Sequence, residues 1–144
     1  SISDAVLEVA QGFEAVATSQ GKTLNLDIDN NLSYCGDETT IRQLVSLLID
    51  NAMKYSDENG KITVSLKSNG KSRIITVTNS VDKIEKGKHD ELFERFYRAD
   101  SSRNSETGGH GIGLSVVKAI ANAHKGKAIC YSNDENSITF KITL

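Results

Sequence analysis

Residues 108–114, near the C-terminal end of the chain, have types and spacing that could bind phosphate. The run is Gly-Gly-His-Gly-Ile-Gly-Leu, and an amphipathic stretch over residues 115–124 follows it directly. Glycines before a helix leave backbone N–H groups open to a ligand, and the N-terminus of a helix favours negative charge. The run therefore predicts an anion site, although flexible linkers and helix-entry turns can have the same composition.

A second segment, residues 44–56, places polar side chains at helical spacing. The amide oxygen of Asn51 could complete the oxygen shell of Mg²⁺, and Lys54 could reach a phosphate as a point charge. Tyr55 could support the same site with its ring and hydroxyl. The alternatives are a tolerated surface asparagine, a surface ion pair between Asp50 and Lys54, and a tyrosine at the edge of the core.

A third segment, residues 92–100, lies between the other two and combines aromatic residues with arginine. Phe93 and Phe96 are predicted to bury their rings and to anchor the base of the polar segment that follows. The guanidinium of Arg98 matches the geometry of phosphate oxygens. A solvent-exposed arginine remains the alternative for Arg98.

The order and spacing of these three segments resemble the N, F and G2 boxes of the catalytic and ATP-binding domain of bacterial sensor histidine kinases. The resemblance covers nearly the whole chain and implies the Bergerat (GHKL) ATP-binding fold, with ATP and Mg²⁺ as ligands. It implies transfer of the γ-phosphate to a histidine on a separate dimerisation domain, and a response regulator as partner of the full-length protein. The isolated domain is expected to be a monomer.

The resemblance also implies which residues form the site. Asn51 would bind the metal, Lys54 and Arg98 would act with it in catalysis, and a flexible lid would extend from about residue 85 to residue 111. His110, between the glycines, could donate to a phosphate or be merely exposed. The residues expected to bind the nucleotide are Asn51, Lys54, Tyr55, Asn79, Ile84, Phe93, Phe96, Arg98, Gly109, His110, Gly111, Ile112, Gly113 and Leu114.

The segment after the predicted hairpin departs from the family pattern, which has an aspartate followed by two spaced glycines. Asn79 replaces the aspartate that accepts from the adenine amino group, and Val81 and Lys83 replace the glycines. An amide oxygen can still accept from that amino group. Without the glycines, positive φ is less accessible, so the loop must take another path and affinity could be reduced. Asp82 is the alternative contact to the base.

Two other functions remain open. ATP hydrolases related to gyrase, Hsp90 and MutL carry a glutamate base four residues before the asparagine, where this chain has Leu47, which cannot take a proton. A non-catalytic relic of the kinase fold is the other alternative. None of His89, His110 and His124 has the flanking pattern of the family's phosphoacceptor motif, so the acceptor is expected on another domain.

Composition fits one domain over residues 1–144, since 38% of the residues are hydrophobic and 25% are charged. A net charge of −2 argues against nucleic-acid binding. Cys35 and Cys130 are predicted as small buried thiols in strands, in a reducing cytoplasm and without zinc. No apolar run reaches the length of about 18 residues that a membrane span needs. We expect a cytoplasmic domain of a membrane-anchored sensor kinase.

Hydrophobic spacing and turn residues predict the elements that must position these side chains. They combine into an α/β sandwich, a mixed and mostly antiparallel sheet with helices packed on one face. The predicted elements are a helix capped by Ser3 or Asp4, strands at 23–28 and 32–35, a helix capped by Asp37, a hairpin of 61–67 and 73–78 around Asn69 and Gly70, a helical piece at 90–96, a helix at 112–123, and a hairpin of 127–131 and 137–144.

Overall fold

The computed structural model describes residues 1–94 and 113–144, which form a six-stranded sheet with helices on one face. The strands stand in the order β1-β2-β3-β6-β5-β4. β1 and β2 run parallel, whereas the other pairs given are antiparallel. This confirms the predicted fold class. The strands are β1 (Thr23–Ile28), β2 (Lys61–Asn69), β3 (Ser72–Ser80), β4 (Gly87–Lys88), β5 (Lys127–Ser132) and β6 (Ser137–Thr143).

The helices are α1 (Ile2–Gln11), α2 (Glu14–Ser19), α3 (Glu38–Tyr55) and α4 (Gly113–Ala123). The long helix α3 begins where the sequence predicts, because the Asp37 carboxylate accepts from the Thr40 N–H at 3.3 Å. Leu44, Leu48 and Ala52 follow at helical spacing and are fully buried. The stripe they form packs α3 onto the sheet.

Alternate side chains of the central strands point towards the helices and form the core. Ile62 and Val64 of β2 and Ile75 and Val77 of β3 are fully buried. Removing such apolar surface from water stabilises the fold by about 25 cal/mol per Å². On β3 the alternation continues to Asn79, so a polar residue occupies a core position at the end of this strand.

The N-terminal helix is split, against the prediction of one helix capped by Ser3 or Asp4. Ser1 is the cap, since its hydroxyl accepts from the Asp4 N–H at 3.2 Å. The N–H of Gly12 donates to carbonyls both three and four residues earlier, which ends α1. Phe13 then begins α2.

The predicted short strand over residues 32–35 does not form, because this segment bonds to α1. The N–H groups of Ile2 and Ser3 both donate to the Leu32 carbonyl. In return, the Leu32 N–H donates to the Ser3 hydroxyl at 2.9 Å. Both backbone groups of Leu32 are therefore engaged away from the sheet, and Ser3 has a role other than the predicted cap.

The turn between β2 and β3 is displaced by one residue from the prediction. Asn69 pairs with Ser72, so the two central residues are Gly70 and Lys71, not Asn69 and Gly70. Gly70 has φ +61°. A two-residue hairpin turn with glycine at its first central position needs this conformation.

The two cysteines differ in exposure, so the prediction that both are buried is wrong for one of them. Cys35 is exposed in the loop before α3 and lines an open groove with Ser33, Tyr34 and Lys71. Cys130, on the inner face of β5, is only 1% exposed. Burial raises the pKa of the Cys130 thiol far above its usual range. The negative charges of Asp90 and Glu91 raise this pKa further.

We expect one thiol of the folded protein to react quickly with a chromogenic disulfide reagent at neutral pH. Cys35 is accessible, whereas the raised pKa and burial of Cys130 leave almost no reactive thiolate. Absorbance should report one fast thiol in buffer and two in guanidinium, and Cys35→Ser should abolish the fast phase. Two fast thiols in buffer would contradict the burial of Cys130.

Candidate functional site

Three of the predicted site residues lie on the last two turns of α3. Asn51 and Tyr55 are four residues apart on one side of the helix, and Lys54 is their neighbour. Asn51 and Tyr55 are half-buried and Lys54 is exposed. Ala52 is buried beside them, so these three side chains border the stripe that packs on the sheet. They can reach a ligand bound at the edge of the helix.

Lys54 forms the surface ion pair that the sequence offered as the alternative to a phosphate contact. Its Nζ lies 3.0 Å from the Asp50 carboxylate, and the two side chains are 37% and 48% exposed. A pair this exposed stabilises a protein by about 1 kcal/mol at most. Lys54 can therefore leave Asp50 for a phosphate at little cost.

Asn79 occupies a buried position at the end of β3, next to Ile62 of β2. Its side chain is 1% exposed, and its Nδ2 donates to the Ser80 carbonyl at 3.1 Å. Its Oδ1 has no hydrogen-bond partner among the described residues. Leaving a buried polar atom unpaired costs about 1–3 kcal/mol. This oxygen is therefore a ready acceptor for a ligand.

The end of α3 is held against the end of β3. The Asp57 N–H donates to the Ser80 carbonyl at 3.3 Å, and the Ser80 hydroxyl donates to the Asp57 carboxylate at 2.6 Å. Ser56 precedes Asp57, and its hydroxyl is the second buried side-chain atom without a partner in the described part of the chain. Ser56 is not among the predicted site residues, because a serine at the end of a helix usually caps the helix or forms a turn. Its position directly after Tyr55 is its only sequence signal.

Lys22, which the sequence did not single out, caps the C-terminus of α3. Its Nζ donates to the carbonyl of Met53 at 2.5 Å and to that of Ser56 at 3.5 Å. Carbonyls at a helix end need such partners, and a cation is favoured there. Burial lowers the pKa of the Lys22 ammonium, while the charge of Asp57 acts in the opposite direction. Lys22 thus fixes the turn that carries Lys54.

A short 3-10 helix, Asp90–Phe93, lies at the start of the predicted lid and packs on the sheet. The Phe93 ring is buried, as predicted, and meets Phe140 edge-on at 5.8 Å between ring centroids. The Asp90 carboxylate accepts from the Cys130 N–H at 2.8 Å. This part of the predicted helical piece is therefore a 3-10 turn, anchored to β5 and β6.

α4 begins beside the turn of α3 that precedes Asn51. A Cβ added to Gly113 would lie 3.7 Å from the Cδ2 of Leu47. Leu47 is four residues, about one helical turn, before Asn51. Leu114 is half-buried against the core. The start of α4 therefore lies about one helical turn of α3 from Asn51, and the N-terminal end of a helix favours an anionic ligand.

Residues 81–84 take a path that needs no glycine. The N–H groups of Val81 and Ile84 each donate at 2.9 Å to a carbonyl of the turn between β5 and β6, and neither Val81 nor Lys83 has a positive φ. Ile84 is half-buried. Asp82 is exposed, so it presents no buried acceptor comparable to that of Asn79.

The remaining predicted site residues lie between residues 95 and 112, outside the described residues. They are Phe96, Arg98, Gly109, His110, Gly111 and Ile112.

Residues 36–144 match the protein family described as histidine kinase-, DNA gyrase B- and HSP90-like ATPase. Over 140 residues the chain is 31% identical to the signal transduction histidine-protein kinase BaeS of Escherichia coli K12, covering 96% of this chain and 30% of BaeS. It is 37% identical over 118 residues to the heme sensor protein HssS of Staphylococcus haemolyticus, covering 82% and 25%. The nucleotide-free catalytic domain of histidine kinase ThkA superposes with a TM-score of 0.81 at 25% identity, covering 98% and 90%.

The chain spans less than a third of the length of these two curated relatives. None of the helices in residues 1–94 and 113–144 is both long enough and apolar enough to span a membrane.

Proposed function

The chain belongs to the family of histidine kinase-, DNA gyrase B- and HSP90-like ATPases, and we propose that it binds Mg²⁺-ATP and presents the γ-phosphate to a histidine of another domain. The expected histidine kinase ATP-binding domain and its fold are confirmed by the relatives and by the ThkA structure. The observation that carries the proposal is the buried, unpaired Oδ1 of Asn79.

Asn79 suits an adenine base because its orientation is fixed. Its Nδ2 donates to the Ser80 carbonyl. If the amide were turned over, its Oδ1 would face the Ser80 carbonyl oxygen, and two acceptors cannot form a hydrogen bond. The free atom is therefore an acceptor, which fits the amino group of adenine. Guanine carries an oxygen at that position and would oppose it.

The phosphates would lie between α3 and the start of α4. Asn51 would supply one oxygen ligand to Mg²⁺, whose other ligands would be waters and phosphate oxygens. When bound, the metal neutralises charge on the phosphates. Lys54 would exchange Asp50 for a phosphate, and Arg98, outside the described residues, would pair with the γ-phosphate. The chain's own contribution is positioning and charge.

The acceptor histidine is proposed to lie on a dimerisation domain of the same kinase, with a response regulator as the final partner. His124 uses both ring nitrogens, one with the Ile120 carbonyl at 2.9 Å and one with the Asp37 N–H at 3.2 Å. His89 Nε2 lies 2.6 Å from the Glu85 carbonyl. Neither described histidine is therefore presented as a nucleophile.

ATP hydrolysis as the main activity is not supported. The position of the general base in the hydrolases of the family is Leu47, which is apolar and lies beside Gly113. A leucine cannot activate water. The non-catalytic scaffold is the alternative that the following measurement decides.

Mg²⁺-ATP is expected to raise the Tm of the domain, because a ligand that binds only the folded state stabilises it by about 2.7 kcal/mol at 100 times its Kd. A thermal-shift titration with Mg²⁺-GTP as the control should show a smaller rise, since guanine opposes the Asn79 acceptor. No shift at millimolar ATP would favour the scaffold.

A further inference from the structure

Two buried polar atoms without partners lie at the junction of α3 and β3. Among the described residues these atoms are Ser56 Oγ and Asn79 Oδ1. The N–H of Asp57, the residue after Ser56, and the Nδ2 of Asn79 both donate to the Ser80 carbonyl, at 3.3 and 3.1 Å. Ser56 therefore lies one residue from a backbone contact that Asn79 shares. Orphaned buried polar atoms are rare, and each of them needs an explanation.

The helix end does not account for the Ser56 hydroxyl. The hydroxyl of a serine in a helix often donates to the carbonyl four residues earlier. Here that carbonyl, of Ala52, already accepts from the backbone N–H of Ser56 at 3.0 Å. Two further carbonyls at this end, those of Met53 and Ser56, accept from Lys22. In the described part of the chain the hydroxyl is therefore buried and bonded neither to the Ala52 carbonyl nor to another group.

Building on the proposed function, we infer that Ser56 is a second contact to the purine base, donating its hydroxyl hydrogen to a ring nitrogen beside the 6-amino group. Asn79 offers an acceptor and Ser56 a donor, the complement of the donor and acceptor that adenine presents on this edge. A serine hydroxyl can rotate to suit a ring nitrogen or N–H, whereas the Asn79 amide is fixed. Ser56 therefore adds affinity for a purine base, and Asn79 selects adenine over guanine.

Calorimetry with three Mg²⁺ complexes tests this contact. ATP has the amino group and the ring nitrogens, purine riboside triphosphate lacks the amino group, and inorganic tripolyphosphate lacks the base. Ser56→Ala is expected to raise the Kd of both nucleotides about fivefold to twentyfold, the effect of one lost hydrogen bond, and to leave tripolyphosphate unchanged. Asn79→Ala should affect ATP alone. Ser65→Ala, on the outward face of β2, is the matched control and should change none of the three.

The Tm without ligand separates a base contact from a structural role. Removing an unpaired buried hydroxyl should leave the Tm of Ser56→Ala unchanged or higher. An unchanged Kd for ATP, or an equal loss of affinity for tripolyphosphate, would overturn the inference while the proposed function stands. Failure of the unmodified domain to bind ATP would overturn both.

Discussion

Asn79→Ala is expected to weaken the binding of Mg²⁺-ATP by about 1–3 kcal/mol, a rise in Kd of roughly fivefold to 150-fold. The buried Oδ1 of Asn79 has no partner among the described residues, and the adenine amino group would give it one. The variant removes this acceptor and leaves the amino group buried and unpaired. Isothermal titration calorimetry measures the change directly.

Thr78→Ala is the matched control for this variant. Thr78 precedes Asn79 but points to the opposite face of the sheet, where its hydroxyl bonds to that of Thr139 at 3.0 Å. The Kd of the Thr78→Ala variant for ATP should equal that of the unmodified domain. An unchanged Kd in Asn79→Ala would exclude Asn79 as the base contact and leave Asp82 as the next residue to test.

Gly126→Ala is expected to lower the free energy of unfolding by about 2–4 kcal/mol, because overpacking against a rigid backbone is costly. A Cβ at Gly126 would overlap the carbonyl oxygen of Thr143 and lie 3.1 Å from its carbon. Gly126 cannot easily move away, since its N–H donates to the Ala121 carbonyl at 2.8 Å. Urea unfolding followed by circular dichroism measures the loss.

Gly70→Ala separates this overlap from the general cost of replacing a glycine. Gly70 has φ +61°, but no atom lies within 4 Å of its added Cβ. Only the left-handed conformation then opposes the substitution, at a cost of about 1–2 kcal/mol. An equal loss in the free energy of unfolding in the two variants would show that β6 moves away at Thr143. Close packing would then not be the reason for a glycine at position 126.

Local patterns in the sequence determined α3, the two hairpins and the class of the fold. The buried stripe of α3 recurs every three or four residues, and Asp37 marks its start, so neighbouring residues contain all the necessary information. Asn79, directly after the predicted strand 73–78, was located by the resemblance to the family, in which an aspartate stands at this place. Its burial follows from the same alternation that buries Ile75 and Val77.

Other features of the molecule depend on partners distant in the chain, which local patterns do not contain. Leu32 bonds to Ser3 rather than to the sheet, which removes a predicted strand. The Ser80 carbonyl receives both the Asp57 N–H and the Asn79 amide, which fixes the direction of that amide.

The sequence by itself therefore determined which residue types are present and, for α3 and the strands of the two hairpins, on which element they lie. Only the tertiary structure decided which polar atoms find partners and which, like those of Ser56 and Asn79, remain unpaired. The physical reason is that hydrogen bonding inside a protein is settled by atoms brought together from separate segments, after the helices and strands have packed.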